Sequence, residues 1–170
     1  LDEGSEIMNR VNITLIVNDN KRVESVPPRL LLSDFLRHQI GLKGTHVGCE
    51  QGVCGACTVE VDGVSVRSCL MFAVQADGAD IKTVESLGTI RQLHPLQQAF
   101  WDEHGLQCGF CTPGMLMVAQ DLLKRNPSPS EDDVREAISG NLCRCTGYQN
   151  IVKSIMAAAR AMRSQAEAVA

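Results

Sequence analysis

Long apolar runs, runs of basic residues and leftover cysteines are all missing from this chain, and each absence narrows what it does. No stretch approaches the ~18 uninterrupted apolar residues of a membrane-spanning helix, so such a span is excluded on length. Lys and Arg number 16 against 20 Asp and Glu, a net charge of −4, and no basic run reaches the length of a nucleic-acid-binding arm. DNA and RNA are therefore not expected partners. The opening residues, LDEGSEIMNR, are acidic and lack the basic and apolar regions of a secretory signal; residues 1–10 read as a flexible leader, with Met8 a candidate start. No internal repeat or low-complexity block occurs, and aromatic residues are scarce at 4%. These absences describe a cytoplasmic protein, in which grouped cysteines signal metal binding or catalysis more often than disulfides. The even cysteine count keeps a disulfide framework formally open.

What is present is eight cysteines in two sets of four. Cys49, Cys54, Cys57 and Cys69 read C-x4-C-x2-C-x11-C, the spacing of plant-type ferredoxin ligands. Cys108, Cys111, Cys143 and Cys145 read C-x2-C, a long gap, then C-x-C. In the first set three cysteines lie among Gly48, Gly52 and Gly55, and a short loop wrapped around a cluster needs the positive φ that glycine supplies without steric cost. Such a loop turns its amide N–H groups toward the sulfurs. Structural zinc also takes four cysteines, usually as two separated knuckles, which the first set matches poorly and the second set matches better. A Rieske centre needs two histidines, and neither His38 nor His46 sits in a C-x-H pair. Both motifs of the second set precede predicted helices, whose N-terminal N–H groups favour a negatively charged cluster. A thioredoxin-like reading of C-x2-C expects a βαβ setting, and this half of the chain is helical in pattern.

The rest of the pattern divides the chain near Glu85–Ile90. Apolar alternation from Val11 to Val17, Asn18-Asp19-Asn20 and a second alternating run predict a hairpin over residues 11–26. Leu30, Leu31, Phe35, Leu36 and Ile40 predict a helix over 30–40 ended by Gly41. Strands are expected over Cys57–Asp62 and Val64–Cys69 around Asp62-Gly63, and again over Ile81–Val84. Beyond residue 90 the period becomes helical. Helices are expected over His94–His104, Thr112–Arg125, Ser130–Ile138 with a capping box to Asp133, and Asn150–Gln165. The fold class is therefore α+β, with domains over residues 9–86 and 90–165. The second is expected to be a four-helix bundle with a thin core, so that a bound cluster would help to hold it.

Other polar and aromatic residues read more simply. With two full cysteine sets, His46, His94 and His104 are surface or packing residues rather than ligands. Phe100 and Trp101, at helical spacing beside Leu96, are core or interface rather than electron relays. Met115, Met117, Met156 and Met162 fill a helical core. Arg144, between two cysteines, either offsets cluster charge or is simply exposed.

The cysteine pattern, QCGFCTPG and GNLCRCTGY in this order resembles the iron–sulfur small subunit of the molybdenum hydroxylases, over about residues 9–163. That family includes xanthine dehydrogenase, carbon monoxide dehydrogenase, quinoline oxidoreductase and aldehyde oxidoreductase. The resemblance implies a β-grasp ferredoxin-like domain followed by a helical-bundle domain, each with a [2Fe–2S] cluster. It assigns Cys49, Cys54, Cys57 and Cys69 to the cluster nearer flavin, and Cys108, Cys111, Cys143 and Cys145 to the one nearer molybdenum. Gln107 matches the glutamine that hydrogen-bonds the pterin, and Cys145 the ligand lying against it. The implied role is electron transfer from a molybdopterin-type molybdenum cofactor to FAD, held by a large and a medium partner subunit. A heterotrimer or a dimer of heterotrimers is the implied assembly, because the chain ends after its last helix with no linker toward a flavin domain.

Overall fold

The computed structural model describes residues 10–169, so of the expected leader all but Arg10 lies outside the described residues. β1 (Val11–Val17) and β2 (Asn20–Val26) form the expected hairpin, with Val17 paired to Asn20. Asn18 and Asp19 both take positive φ, 49° and 65°, the tight-turn geometry whose twist suits flanking strands. Alternation along β1 buries Ile13, Leu15 and Val17. β3 (Thr58–Val61) and β4 (Val64–Arg67) make a second hairpin around Asp62 and Gly63, again both at positive φ. β5 (Asp80–Lys82) lies between the hairpins, parallel to β1 and antiparallel to β3, completing a mixed five-stranded sheet of order β2-β1-β5-β3-β4.

The helix expected over residues 30–40 is shorter and wider than its periodicity implies. Leu30 and Leu31 stay extended because their backbone pairs with the segment after Cys69: Ala73 N–H donates to Leu30 O and Leu32 N–H to Met71 O, each at 2.8 Å. α1 (Leu32–Asp34) then opens into a π-helical turn (Phe35–Gln39), in which Ile40 N–H reaches back five residues to Phe35 O at 3.0 Å. The widened turn still buries Leu32, Phe35 and Leu36 against Ile13, Leu15 and Ile81. Gly41 ends it at φ 81°, as expected. β5 stops at Lys82 rather than Val84 because Asn18 Oδ1 accepts the Thr83 N–H at 2.9 Å and draws the chain off the sheet.

Four helices follow, α2 (Pro95–Asp102), α3 (Thr112–Arg125), α4 (Glu131–Ile138) and α5 (Gln149–Val169). They enclose a second apolar core that includes Leu96, Phe100, Met115, Val134, Ile151 and Ile155. α2 starts one residue later than expected because His94 acts as its cap, Nδ1 accepting the Leu96 N–H at 3.2 Å. Phe100 is core, but Trp101 is 71% exposed and is not, since it falls on the opposite side of α2 from Leu96 and Ala99. α4 opens with the expected capping box. Ser130 Oγ accepts the Asp133 N–H at 3.1 Å, and Asp133 Oδ2 accepts the Ser130 N–H at 2.8 Å. That main-chain bond holds the Asp133 carboxyl below the usual carboxylate range. Its contribution is therefore present at neutral pH and is lost as acid titrates the group through its lowered pKa. Replacing Ser130 by Ala is expected to cost about 1 kcal/mol of stability, measured as a lowered midpoint of denaturant unfolding followed by helical circular dichroism.

Candidate metal centres

The first cysteine set is built by a loop and completed by the sheet. Gln51 N–H and Cys54 N–H both donate to Cys49 Sγ at 3.4 Å, so the loop does aim amides at sulfur. These bonds, that from Cys54 first, pull the Cys49 thiol down to about 7. Cys69, in the short helical turn after β4, is buried beside Cys57; burial, then the Cys57 thiol, pushes it up to about 11. Gly52 and Gly55 adopt φ 76° and 73°, whereas Gly48 does not take positive φ, and the third such position in the loop is Glu50 at 53°. Gly48 is bare for another reason. A Cβ there would lie 3.2 Å from Cys54 Sγ and 3.3 Å from the Phe110 ring.

The second set brings together two turns at one end of the helical half. Cys108 Sγ and Cys145 Sγ lie 3.4 Å apart on the surface, too far for a disulfide, and all eight cysteines are free thiols. Cys111 is the residue that caps α3, with Pro113 in its first turn as expected; α5 begins at Gln149, four residues beyond Cys145. Burial pushes the Cys111 thiol up to about 12, and the neighbouring Cys143 thiol adds to the rise. Burial also raises Cys143, but hydrogen bonds from Thr146 and the Cys145 amide outweigh it and leave the thiol below its ordinary value. Tyr148 Oη accepts the Cys143 N–H at 2.9 Å and fixes the C-x-C turn from the start of α5. Gln107 is exposed next to Cys108, and Arg144 is exposed between its two cysteines.

The two sets are joined through backbone. Leu142 N–H donates to Cys54 O at 2.9 Å, linking the residue before Cys143 to a cysteine of the first set. Asn141, 1% exposed, donates through Nδ2 to Gly55 O at 3.1 Å. Gly114 in α3 packs directly on the same loop: a Cβ there would lie 2.3 Å from Gly55 O. His46 stacks on Phe110 with ring centroids 4.9 Å apart, and its Nδ1 donates to Phe110 O at 2.8 Å. It is thus a packing residue at the junction, while His94 is a helix cap and His104 lies in the turn after α2 at φ 53°. Lys124 on α3 pairs with the buried Glu60 of β3 at 2.6 Å.

Sequence patterns did not reveal Arg67, Asn141 or Gly114, because each acts across the junction and carries no local signal. Gly114 and Asn141 stood within quoted motifs, QCGFCTPG and GNLCRCTGY, but nothing in either motif pointed to a contact across the junction. Among the described residues, no three His, Cys, Asp or Glu side chains converge on a point where a single ion would be held. Four thiols in each set, with amides donating to sulfur, have the donor chemistry of a [2Fe–2S] site instead. In metal-free, denatured protein, thiol titration without reductant is expected to count eight free cysteines; a lower count would revive the disulfide framework. Gly114→Ala is expected to destabilise the folded protein by about 1–3 kcal/mol, read from unfolding midpoints, because the helix has to back away from the Gly55 carbonyl.

Comparison with known proteins agrees with this geometry. A 2Fe-2S iron–sulfur cluster binding domain matches residues 15–84, and a [2Fe-2S] binding domain matches residues 83–156. The caffeine dehydrogenase subunit gamma of Pseudomonas sp. (strain CBB1) is 56% identical over 146 residues, covering 84% of this chain and 87% of that protein. The nicotine 6-hydroxylase small subunit of Paenarthrobacter nicotinovorans is 54% identical over 147 residues, covering 86% and 88%. In the crystal structure of quinoline 2-oxidoreductase from Pseudomonas putida 86, one chain superposes with a TM-score of 0.88 at 52% identity, over 92% of this chain and 98% of that one. Two [2Fe–2S]-binding domains in this order, carried by a chain similar over most of its length to these subunits, make it a member of the iron–sulfur small-subunit family of the molybdenum hydroxylases, working within an oxidoreductase complex.

Proposed function

We propose that this chain is the electron-transfer subunit of a molybdenum-containing hydroxylase or dehydrogenase, carrying electrons from a molybdenum cofactor on a large partner subunit to FAD on a medium one. In this reading residues 9–86 form a β-grasp ferredoxin-like domain and residues 90–165 a four-helix-bundle domain. Cys49, Cys54, Cys57 and Cys69 hold one [2Fe–2S] cluster, and Cys108, Cys111, Cys143 and Cys145 hold the other. Each cluster, when bound, accepts and returns a single electron. The observation that carries the proposal is the joining of the two four-thiol sets by hydrogen bonds to main-chain carbonyls of the first loop, Leu142 N–H to Cys54 O and Asn141 Nδ2 to Gly55 O.

The chain's own residues then have distinct tasks. The sulfurs of the buried Cys57, Cys69 and partly buried Cys111 sit away from water, where a bound cluster would replace the protons that burial otherwise holds on Cys69 and Cys111. Amides of Gln51 and Cys54 donate to Cys49 Sγ and stabilise added negative charge on that side. Gln107, Cys108 and Cys145 are all exposed, and Cys108 and Cys145 lie side by side, which supports their meeting the molybdenum cofactor on the large subunit. The largely exposed Val53 and Leu70 flank the other cysteine loop and support a flavin subunit approaching there. A heterotrimer or a dimer of heterotrimers accommodates both contacts. Substrate choice lies with the molybdenum subunit. The relatives' names, caffeine, nicotine and quinoline, favour an N-heterocycle over carbon monoxide or an aldehyde.

Elemental analysis of the purified protein tests this directly. About four irons and four acid-labile sulfides per chain are expected, with two distinct paramagnetic signals on reduction. A colourless protein containing zinc would sink the electron-transfer role. Cys145→Ser should impair one of the two signals and largely spare the other; both signals unchanged would remove Cys145 as a ligand.

A further inference from the structure

Between the two cysteine sets lies a cation that pairs with no acid among the described residues. Arg67, the last residue of β4, is half-buried and stands two residues before Cys69. One arm of its guanidinium donates to the hydroxyl of Thr58, the neighbour of Cys57. The other donates to Gly140 O at 2.8 Å and Asn141 Oδ1 at 3.0 Å, in the turn that leads to Cys143. Position 140 has to be bare for this reach, since a Cβ there would lie 2.8 Å from Arg67 Nη2. Among the described residues no carboxylate forms an ion pair with Arg67. A partly desolvated guanidinium is costly unless other negative groups balance it. Its anchors stand close along the chain to cysteines of both sets, Thr58 next to Cys57 and Asn141 two residues before Cys143, while Arg67 itself is two residues before Cys69.

We propose that Arg67 is a positioning residue for electron passage between the two cysteine sets. Its planar fork holds the turn ahead of Cys143 against the strand beginning at Thr58, fixing the gap between the sets, and its charge favours an added electron on either side. The inference rests on the electron-transfer role proposed above. The step it serves moves one electron from a reduced cluster in the Cys108 set to an oxidised one in the Cys49 set, with no bond made or broken. Lysine would keep the charge but could not make this forked contact, which separates geometry from electrostatics.

The test uses the protein purified with its bound subunits, reduced stepwise and followed by electron paramagnetic resonance. Arg67→Lys removes the fork, Arg67→Met removes fork and charge, and Gly140→Ala pushes the guanidinium off the turn while leaving it in place chemically. With both clusters reduced in the parent protein, each splits the signal of the other. Loss of that splitting in all three variants, with iron and sulfide retained, is the expected result, together with midpoint potentials that fall for both clusters in Arg67→Met alone. Unchanged splitting in Arg67→Lys or in Gly140→Ala overturns the positioning role. Should Arg67→Met lose iron, Gly140→Ala decides by the same signal, since it keeps every thiol and the cation. A parent protein without iron would instead overturn the electron-transfer role itself, so the two failures are distinct.

Discussion

The Gly55 carbonyl is the point on which the arrangement of this molecule turns. It accepts from Thr58 N–H at 3.2 Å, Thr58 Oγ1 at 2.6 Å and Asn141 Nδ2 at 3.1 Å, and Gly114 of α3 lies directly against it. Gly55 has to be glycine twice over, for its φ of 73° and because a Cβ would meet Gly140 O at 2.6 Å. A buried carbonyl with three donors has little freedom to move without leaving polar groups unpaired, a cost of order 1–3 kcal/mol for each. The cysteine loop, the start of β3, the turn before Cys143 and the first turn of α3 are thereby held to one another. Separate motion of the two halves would break this set of bonds as a unit.

Around that contact the thiols are graded by environment. Amide donors lower Cys49 and Cys108, while burial raises Cys69 and Cys111. Each set therefore pairs at least one thiol that ionises readily with at least one that does so only when a metal takes the place of its proton. Such a gradient suits a cluster site, because the deep thiols would stay protonated and unreactive until a cluster bound them. The same burial excludes water from the inner sulfurs, one of the factors that set reduction potential.

Legibility in sequence followed the range of the interaction. Turns at Asn18-Asp19 and Asp62-Gly63, the Ser130–Asp133 capping box and the Pro113 helix start depend on residues within a few positions, and all were read correctly. Leu30 and Leu31 were read as helical because their spacing fits one; pairing with residues 71–73, forty positions on, made them extended. Phe100 and Trp101 share a pattern that leaves core and interface open; Phe100 is core and Trp101 is exposed, because α2 is short and buries a narrow face. Glycines in the first loop were read correctly at Gly52 and Gly55, and Gly48 proved to be bare for packing against Cys54 and Phe110 rather than for φ.

Cysteine number, grouping and spacing were determined by the sequence alone, and with them the donor chemistry and the division into a sheet half and a helical half. Ligand spacing is a local property, since a short loop admits few ways to aim several sulfurs inward. Only the tertiary structure decided how the two sets face each other. That relation depends on Arg67, Asn141, Gly114 and the Leu142 amide, whose partners across the junction lie between 59 and 88 positions away, contacts that no periodicity reveals. The exposure of Cys108 and Cys145 beside the burial of Cys57 and Cys69 was decided in the same way, by which faces the packing of α3 against β3 left open.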